Sequence, residues 1–384
     1  MQHHWLLDKN IYFLNHGSYG ATPIPVLDYQ NSLRQKLERQ PLHFLARELE
    51  GLLDQARQEL AHFINADGDN LAFIPNATFG VNTVLRCLSF QPEDEILITN
   101  HTYNACLNAV NFIAHRTGAK VVIADVPFPL HSPQQITEAI LAHVSPKTKL
   151  ALLDHITSIT ALIFPIETLV KELANRGIDT LVDAAHVPGQ IPVNIDSIGA
   201  AYYTGNCHKW LCAPKGAAFL YVRPDKQELI RPLIISHGAN SPRSDRSFFR
   251  LEFDWMGTDD PTAYLSVPKA IQFMGSLLPQ GWPDVWKHNH QLVLEARNLL
   301  AQTLQVSLPC PDEMIGSMAS ISLENIALSG ELLYNRMLKE FKIEVPTVPW
   351  KSNQKYIRIS AQIYNTIEQY EYLSEILKKH FISQ

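Results

Sequence analysis

The chain has 384 residues, 46% of them hydrophobic and 18% charged, with a formal net charge of −6. That length exceeds one compact core and suits about two domains, and the composition is that of an ordinary globular protein rather than a disordered one. The modest negative charge, with no basic patch interleaved with aromatics, gives no reason to expect nucleic acid or an anionic membrane surface as a partner.

Residues 1–10 lack the basic region and long apolar core of a signal peptide, and no run of about 18 apolar residues occurs, so neither export nor a membrane span is expected. Five scattered cysteines (Cys87, Cys106, Cys207, Cys212, Cys310) fit reduced thiols in a cytoplasm. Cys207 and Cys212 are not in CxxC spacing and no HExxH occurs among the histidines, so no metal is expected. The spacing of Leu45, Leu49, Leu52, Leu53, Ala56, Leu60, Phe63 and Ile64 predicts a helix over 43–64. Strand-like stretches follow at 71–75, 95–99, 120–125, 149–154, 180–183, 201–203 and 217–222, with helical patterns between most of them, for example at 133–144 and 165–176. Such alternation predicts a largely parallel sheet covered on both faces, whose ligands sit beyond the carboxyl ends of the strands. Asp154 and Asp183 occupy those ends. Beyond residue 262 the pattern turns to long helices at 262–278 and 284–305, then shorter strand-like pieces and a last helix near 366–380, which reads as a smaller α+β domain.

Lys209 stands in the segment Tyr203–Trp210, one sheet crossing downstream of Asp183 in Leu181–His186. A carboxylate at one strand end with a lysine at the next is what pyridoxal phosphate chemistry needs. The amine links covalently to the aldehyde, and the carboxylate keeps the ring nitrogen protonated so that the ring can accept electrons. The plainer alternative is a surface lysine and a capping aspartate, but His-Lys-Trp among small and apolar residues makes an odd surface loop. Phosphate needs a cradle, and residues 75–82 follow a strand and open a helix, so the amides of Ala77, Thr78 and Phe79 would face an anion at the helix N-terminus. Ordinary capping by Asn76 or Thr78 is the competing reading. Residues 99–105 supply His101 and Tyr103, either of which could stack on the ring.

These motifs, with residues 13–23, 255–261 and 356–365, resemble class V aminotransferases in their order, and the N-terminal motif is similar to the isopenicillin N epimerase-like subgroup. The resemblance spans nearly the whole chain. It implies an α/β enzyme of the pyridoxal phosphate-dependent transferase fold type I, with a mainly parallel seven-stranded sheet. Residues 17–260 would form the large cofactor-binding domain, and 1–16 with 261–384 the small one. Lys209 would be the Schiff-base lysine and Asp183 the ring-nitrogen partner. His186 would lie beside the phenolic oxygen, His208 would reach toward the phosphate, and Tyr103 would stack. Thr258 would bind the neighbouring subunit's phosphate in a homodimer with sites at the interface. Arg358 would grip the carboxylate of a small amino acid substrate, with His16 and Tyr19 near it; a guanidinium suits this because it meets a carboxylate with two parallel bonds and keeps its charge. Ser158 falls where relatives carry an asparagine, which departs from the pattern. The activity implied is epimerisation at Cα, needing a second acid on the face opposite Lys209, for which Tyr103, His101, His16 and Tyr19 are open choices. Class V transamination and cysteine C–S lyase activity are the alternatives. A desulfurase of the usual kind needs a cysteine shortly before the arginine, and 344–356 has none, with Cys310 far upstream. A non-catalytic scaffold would require loss of Lys209 or Asp183. A dehydrogenase lacks its glycine fingerprint here. Ser236, His237 and Arg243 are placed by position alone near the substrate side chain.

Overall fold

The computed structural model describes residues 1–351 and 354–382. Seven strands form the main sheet: β1 Leu71–Ile74, β2 Glu95–Thr99, β3 Lys120–Ala124, β4 Thr148–Asp154, β5 Asp179–Asp183, β6 Tyr202–Asn206 and β7 Ala218–Val222. Their spatial order is β1-β7-β6-β5-β4-β2-β3. All neighbours run parallel except β7, which is antiparallel to both β6 and β1. The exception has a local cause: the link from β6 to β7 is too short to carry a crossover helix, so the chain must turn straight back. β4 and β5 are almost wholly buried, as strands covered on both faces must be.

The expected helix over 43–64 is helix α2, Leu49–Ile64, entered through a π-type turn at Phe44–Glu48; before it lies α1, Ile24–Arg39. Helices α3 (Ala77–Cys87) and α4 (Asn104–Thr117) follow β1 and β2 and cover one face of the sheet. The expected helix at 262–278 is broken into Thr262–Leu265 and Val267–Gly275 at Ser266. Pro268 lacks an N–H, so the helical ladder cannot continue unbroken through this point. Further on come α5, Trp282–Leu304, and α6, Ile367–His380, which pack together over a three-stranded antiparallel sheet of Met318–Ser322, Thr347–Pro349 and Lys355–Ser360. The N-terminal segment joins this part of the molecule: Tyr12 and Phe13 pair in parallel with Ile343 and Glu344.

Candidate active site

The carboxyl ends of β4, β5 and β6 place Asp154, Asp183 and Asn206 side by side on the wall of a cavity of about 380 Å³. Thr78, at the start of α3, lines one end of it, and Tyr103, Ser158, His186, His208 and Lys209 line the rest. Ser18 and Tyr19 reach it from the N-terminal segment.

Lys209 sits in the loop after β6, and its backbone is braced from two sides. Gly20 packs so closely that an added Cβ would meet the carbonyl of His208 and the Cα of Lys209, and its φ of +71° is one that side chains avoid. The ring Nε2 of His16 lies 3.1 Å from the Lys209 carbonyl, to which it donates, while Nδ1 lies 2.7 Å from the Tyr364 hydroxyl. His16 is therefore a buried strut beneath Lys209, burial pushes it down to about 3, and it does not line the cavity. The expectation that it meets substrate is corrected accordingly: both of its ring nitrogens are already engaged.

The Lys209 Nζ lies 3.0 Å from His186 Nε2. On the other side of that ring, the Trp210 indole N–H approaches Nδ1 at 3.4 Å. An indole N–H can only donate, so Nδ1 accepts and the proton sits on Nε2, which then donates to the amine. Only a neutral amine can accept. Burial, and then Arg358, lower Lys209 to about 8, so the neutral amine needed for this contact predominates only above that pH.

Asp183 accepts from the Ala185 amide at 3.0 Å and from the Cys106 thiol at 3.1 Å. Burial, and then the Asp183 charge, hold that thiol well above the usual range, so it stays protonated as a donor. Cys106 was not foreseen in this role, because nothing in its own segment marks it; only the packing of α4 against β5 brings it there.

At the helix end the expected cradle is partly occupied. The Phe79 amide is capped by Asn76 Oδ1 at 2.9 Å, and the Ala77 amide is taken by Asn206 Oδ1 at 2.8 Å. This corrects the expectation of three free amides: Asn76 acts as an N-cap, and the end of β6 supplies a second acceptor. Thr78 retains an amide with no partner among the described residues. His208 donates from Nδ1 to the Ala217 carbonyl at 2.8 Å, and burial lowers it to about 4, which leaves Nε2 a bare acceptor.

Arg358 is 4% exposed, donates to the Ser158 carbonyl and, at 3.0 Å, to the Ser18 hydroxyl, and leaves Nε without a partner. No carboxylate meets it among the described residues. The other buried arginines differ: Arg57 and Arg250 share Asp54 and Asp254, and Arg297 holds Asp312. A buried guanidinium without an acid is costly unless an anion arrives from outside.

Other expectations meet a different outcome. His101 is buried between Phe128, Phe164 and Trp350, with its nitrogens on Thr160 and Val126, so of the two stacking choices only Tyr103 lines the cavity. Tyr103 and Tyr19 are 44% and 77% exposed. Thr258 is exposed and outside the cavity lining of its own chain. His237 and Arg243 line a separate hollow beside Leu45 and Glu50, where Arg243 pairs with Glu50 and Asp245, and Ser236 lines neither. Their placement near the substrate is corrected: the loop that carries them folds over α2 instead.

The model of the family Aminotransferase class-V matches residues 11–373. The chain belongs to the class V aminotransferases. It is 33% identical to an isopenicillin N epimerase of Streptomyces clavuligerus over 97% of this chain and 95% of that one, and 28% identical to an L-cysteine desulfhydrase of Arabidopsis thaliana over 95% and 86%. Among solved structures, C-DES with glycine covalently linked to its pyridoxal phosphate superposes with a TM-score of 0.85 at 22% identity, covering 99% of both chains. The class V chain is thus a pyridoxal phosphate-dependent enzyme of fold type I. Its cavity suits that cofactor, with an amine, a hydrogen-bonded carboxyl group and an uncapped amide placed around one space. No helix among the described residues is long and apolar enough to cross a membrane.

Proposed function

We propose that this class V enzyme removes the α-proton of an amino acid with Lys209 as base, and that a sulfur substituent is then eliminated from Cβ. Arg358 carries the reading, since a buried guanidinium with no acid partner among the described residues would suit a substrate carboxylate. Asp183 would hold the cofactor's ring nitrogen, Thr78 and His208 its phosphate, His186 its phenolic oxygen, and Tyr103 would cover one ring face. Pyridoxal phosphate, when bound, supplies the electron sink for the bond broken at Cα. Arg358 fixes the substrate so that the Cα–H bond faces Lys209. The neutral amine takes the proton, the electrons of that bond form a double bond to Cβ, and sulfur departs as a thiolate. Hydrolysis of the remaining fragment gives a keto acid and ammonium. Among the described cavity residues Lys209 is the one amine, and elimination needs no second base; the desulfhydrase names among the relatives point the same way.

Epimerisation is the second reading, favoured by the likeness to isopenicillin N epimerases and by the exposed phenols of Tyr19 and Tyr103, which could return a proton from the far face. His16 and His101, engaged elsewhere, are poor choices for that acid. Incubation with L-cysteine, L-cystine and a panel of other L-amino acids in deuterated water decides between them. Keto acid with sulfide or persulfide supports elimination. Solvent deuterium at Cα in a mixture of both enantiomers, without keto acid, supports epimerisation and overturns the first reading. Keto acid without sulfur release, with amino transfer to an acceptor, means transamination and overturns both.

The proposal includes a homodimer, supported by Thr258 lying outside its own chain's cavity and by the exposed apolar pair Ile234 and Ile235. It also includes a reducing compartment such as the cytoplasm, in keeping with five free cysteines. Sedimentation of the holoenzyme tests the former.

A further inference from the structure

Two carboxyl groups stand together on the wall of the cavity. Asp154 ends β4, Asp183 ends β5, and the two are partners in register. Side chains so paired leave the sheet on the same face, with backbones about 5 Å apart. Asp183 has both oxygens occupied by donors, Ala185 N–H and Cys106 S–H. Asp154 is 3% exposed, and its Oδ2 has no partner among the described residues.

Those observations decide how charge divides between the two. Two carboxylates this close, both nearly fully buried, cannot both ionise cheaply. Asp183 accepts on both oxygens, whereas the Thr102 hydroxyl and Tyr103 amide, which favour an Asp154 anion, leave its Oδ2 bare, so the charge stays on Asp183. The groups facing Asp154 are the Asp183 carboxylate from β5, the Thr102 hydroxyl and Tyr103 amide from the turn before α4, and the Cys106 thiol from α4 itself. Among the described residues Asp154 has no cation within salt-bridge reach; Lys209 turns to His186, and Arg358 to Ser18 and Ser158.

We propose that Asp154 is a positioning residue that keeps a proton at neutral pH, so that the pair presents a single negative charge, located on Asp183, and one O–H donor to the cavity. Burial and the Asp183 charge both push Asp154 well above the usual carboxylate range, in the same sense. The cofactor's ring nitrogen would then face one anion instead of two. This inference rests on Lys209 and Asp183 forming the cofactor seat, which the proposed function assumes.

Infrared spectroscopy of the holoenzyme tests it. The wild type at neutral pH is expected to show the C=O stretch of a protonated carboxylic acid, shifted by carboxyl-13C-aspartate labelling and absent from Asp154→Asn. Absence of a label-sensitive band in the wild type, or its persistence in the variant, overturns the proposal; the wild-type arm holds even if the variant fails to fold. Affinity of the cofactor-free protein for pyridoxal phosphate gives a second readout. Asp154→Asn, which keeps a neutral group of the same shape, should bind within about threefold of wild type, while Asp183→Asn should lose about tenfold or more, as expected when a charge-assisted hydrogen bond is removed. Equal losses would mean that Asp154 carries the charge, against the proposal. Borohydride reduction checks the seat separately: if no cofactor becomes fixed to Lys209 the proposed function fails, and the infrared band of the cofactor-free protein still decides the state of Asp154.

Discussion

Replacing Arg358 with methionine should make the substrate-free enzyme slightly more stable and much less active. Burial lowers Arg358 from the ordinary guanidinium range to about 10, which corresponds to about 3 kcal/mol against the charged form. Methionine fills a similar volume and removes that cost. It also removes the hydrogen bonds to Ser158 and Ser18, worth about 1 kcal/mol each. The balance is a gain of about 1 kcal/mol, which for a chain of this size raises the melting temperature by about 1–2 °C. A substrate carboxylate, in contrast, would lose two charge-assisted bonds of about 1.5–3 kcal/mol each, so kcat/KM should fall by about 100-fold or more. Differential scanning fluorimetry with and without a saturating amino acid, beside steady-state kinetics, measures both. Arg57→Met is the control: it removes one of the two buried cations that share Asp54 and Asp254, leaving Arg250 in place, and should cost about 1–3 kcal/mol. If Arg358→Met is destabilised as much as Arg57→Met, or if its ligand-induced thermal shift survives, the guanidinium is structural and the reasoning fails.

Three further outcomes follow from the same geometry. Lys209 is lowered from 10.5 to about 8, so in the cofactor-free protein its charge is a penalty fully present below pH 8 and removed as pH rises toward 10.5; Lys209→Met should be more stable than wild type at pH 7, a difference that vanishes by about pH 10 in paired denaturant titrations. His208, neutral and showing only an acceptor to the phosphate end, must gain a proton to hold an anion, so cofactor binding at neutral pH should take up protons, seen as a dependence of calorimetric enthalpy on buffer ionisation and reduced in His208→Gln. Gly20→Ala sets a Cβ against the Lys209 backbone at a positive φ, and should cost about 2–3 kcal/mol and lower the rate of borohydride-trappable cofactor attachment, with denaturation and absorbance as readouts.

What could be read from the chain alone followed from burial and periodicity. β4, β5 and β6 are short apolar runs ending in polar residues, and that contrast is what marks Asp154, Asp183 and Lys209 as inhabitants of one sheet edge. Direction of side chains was not legible in the same way. His16 and His101 stand in the motifs where substrate contacts were sought, yet Tyr364 and the Lys209 carbonyl claim one, and an aromatic nest with Thr160 claims the other. The cradle at α3 illustrates the same limit: free amides at a helix start are a local property, but Asn206 comes from a strand more than a hundred residues away and takes one of them. Ser18, which donors on Arg358 find across the molecule, lay unmarked beside Tyr19.

The order in which this chain emerges during synthesis has a bearing on when it becomes competent. Residues 12–20 are anchored by Ile343, Glu344, Ser360 and Tyr364, and they in turn steady Lys209 and meet Arg358. A ribosome-bound fragment ending after β7 would carry Lys209 without the anchored segment that braces it and without Arg358. Loop closure over so long a separation is slow, so the cavity wall can be completed only after residues 343–364 have been made and folded back.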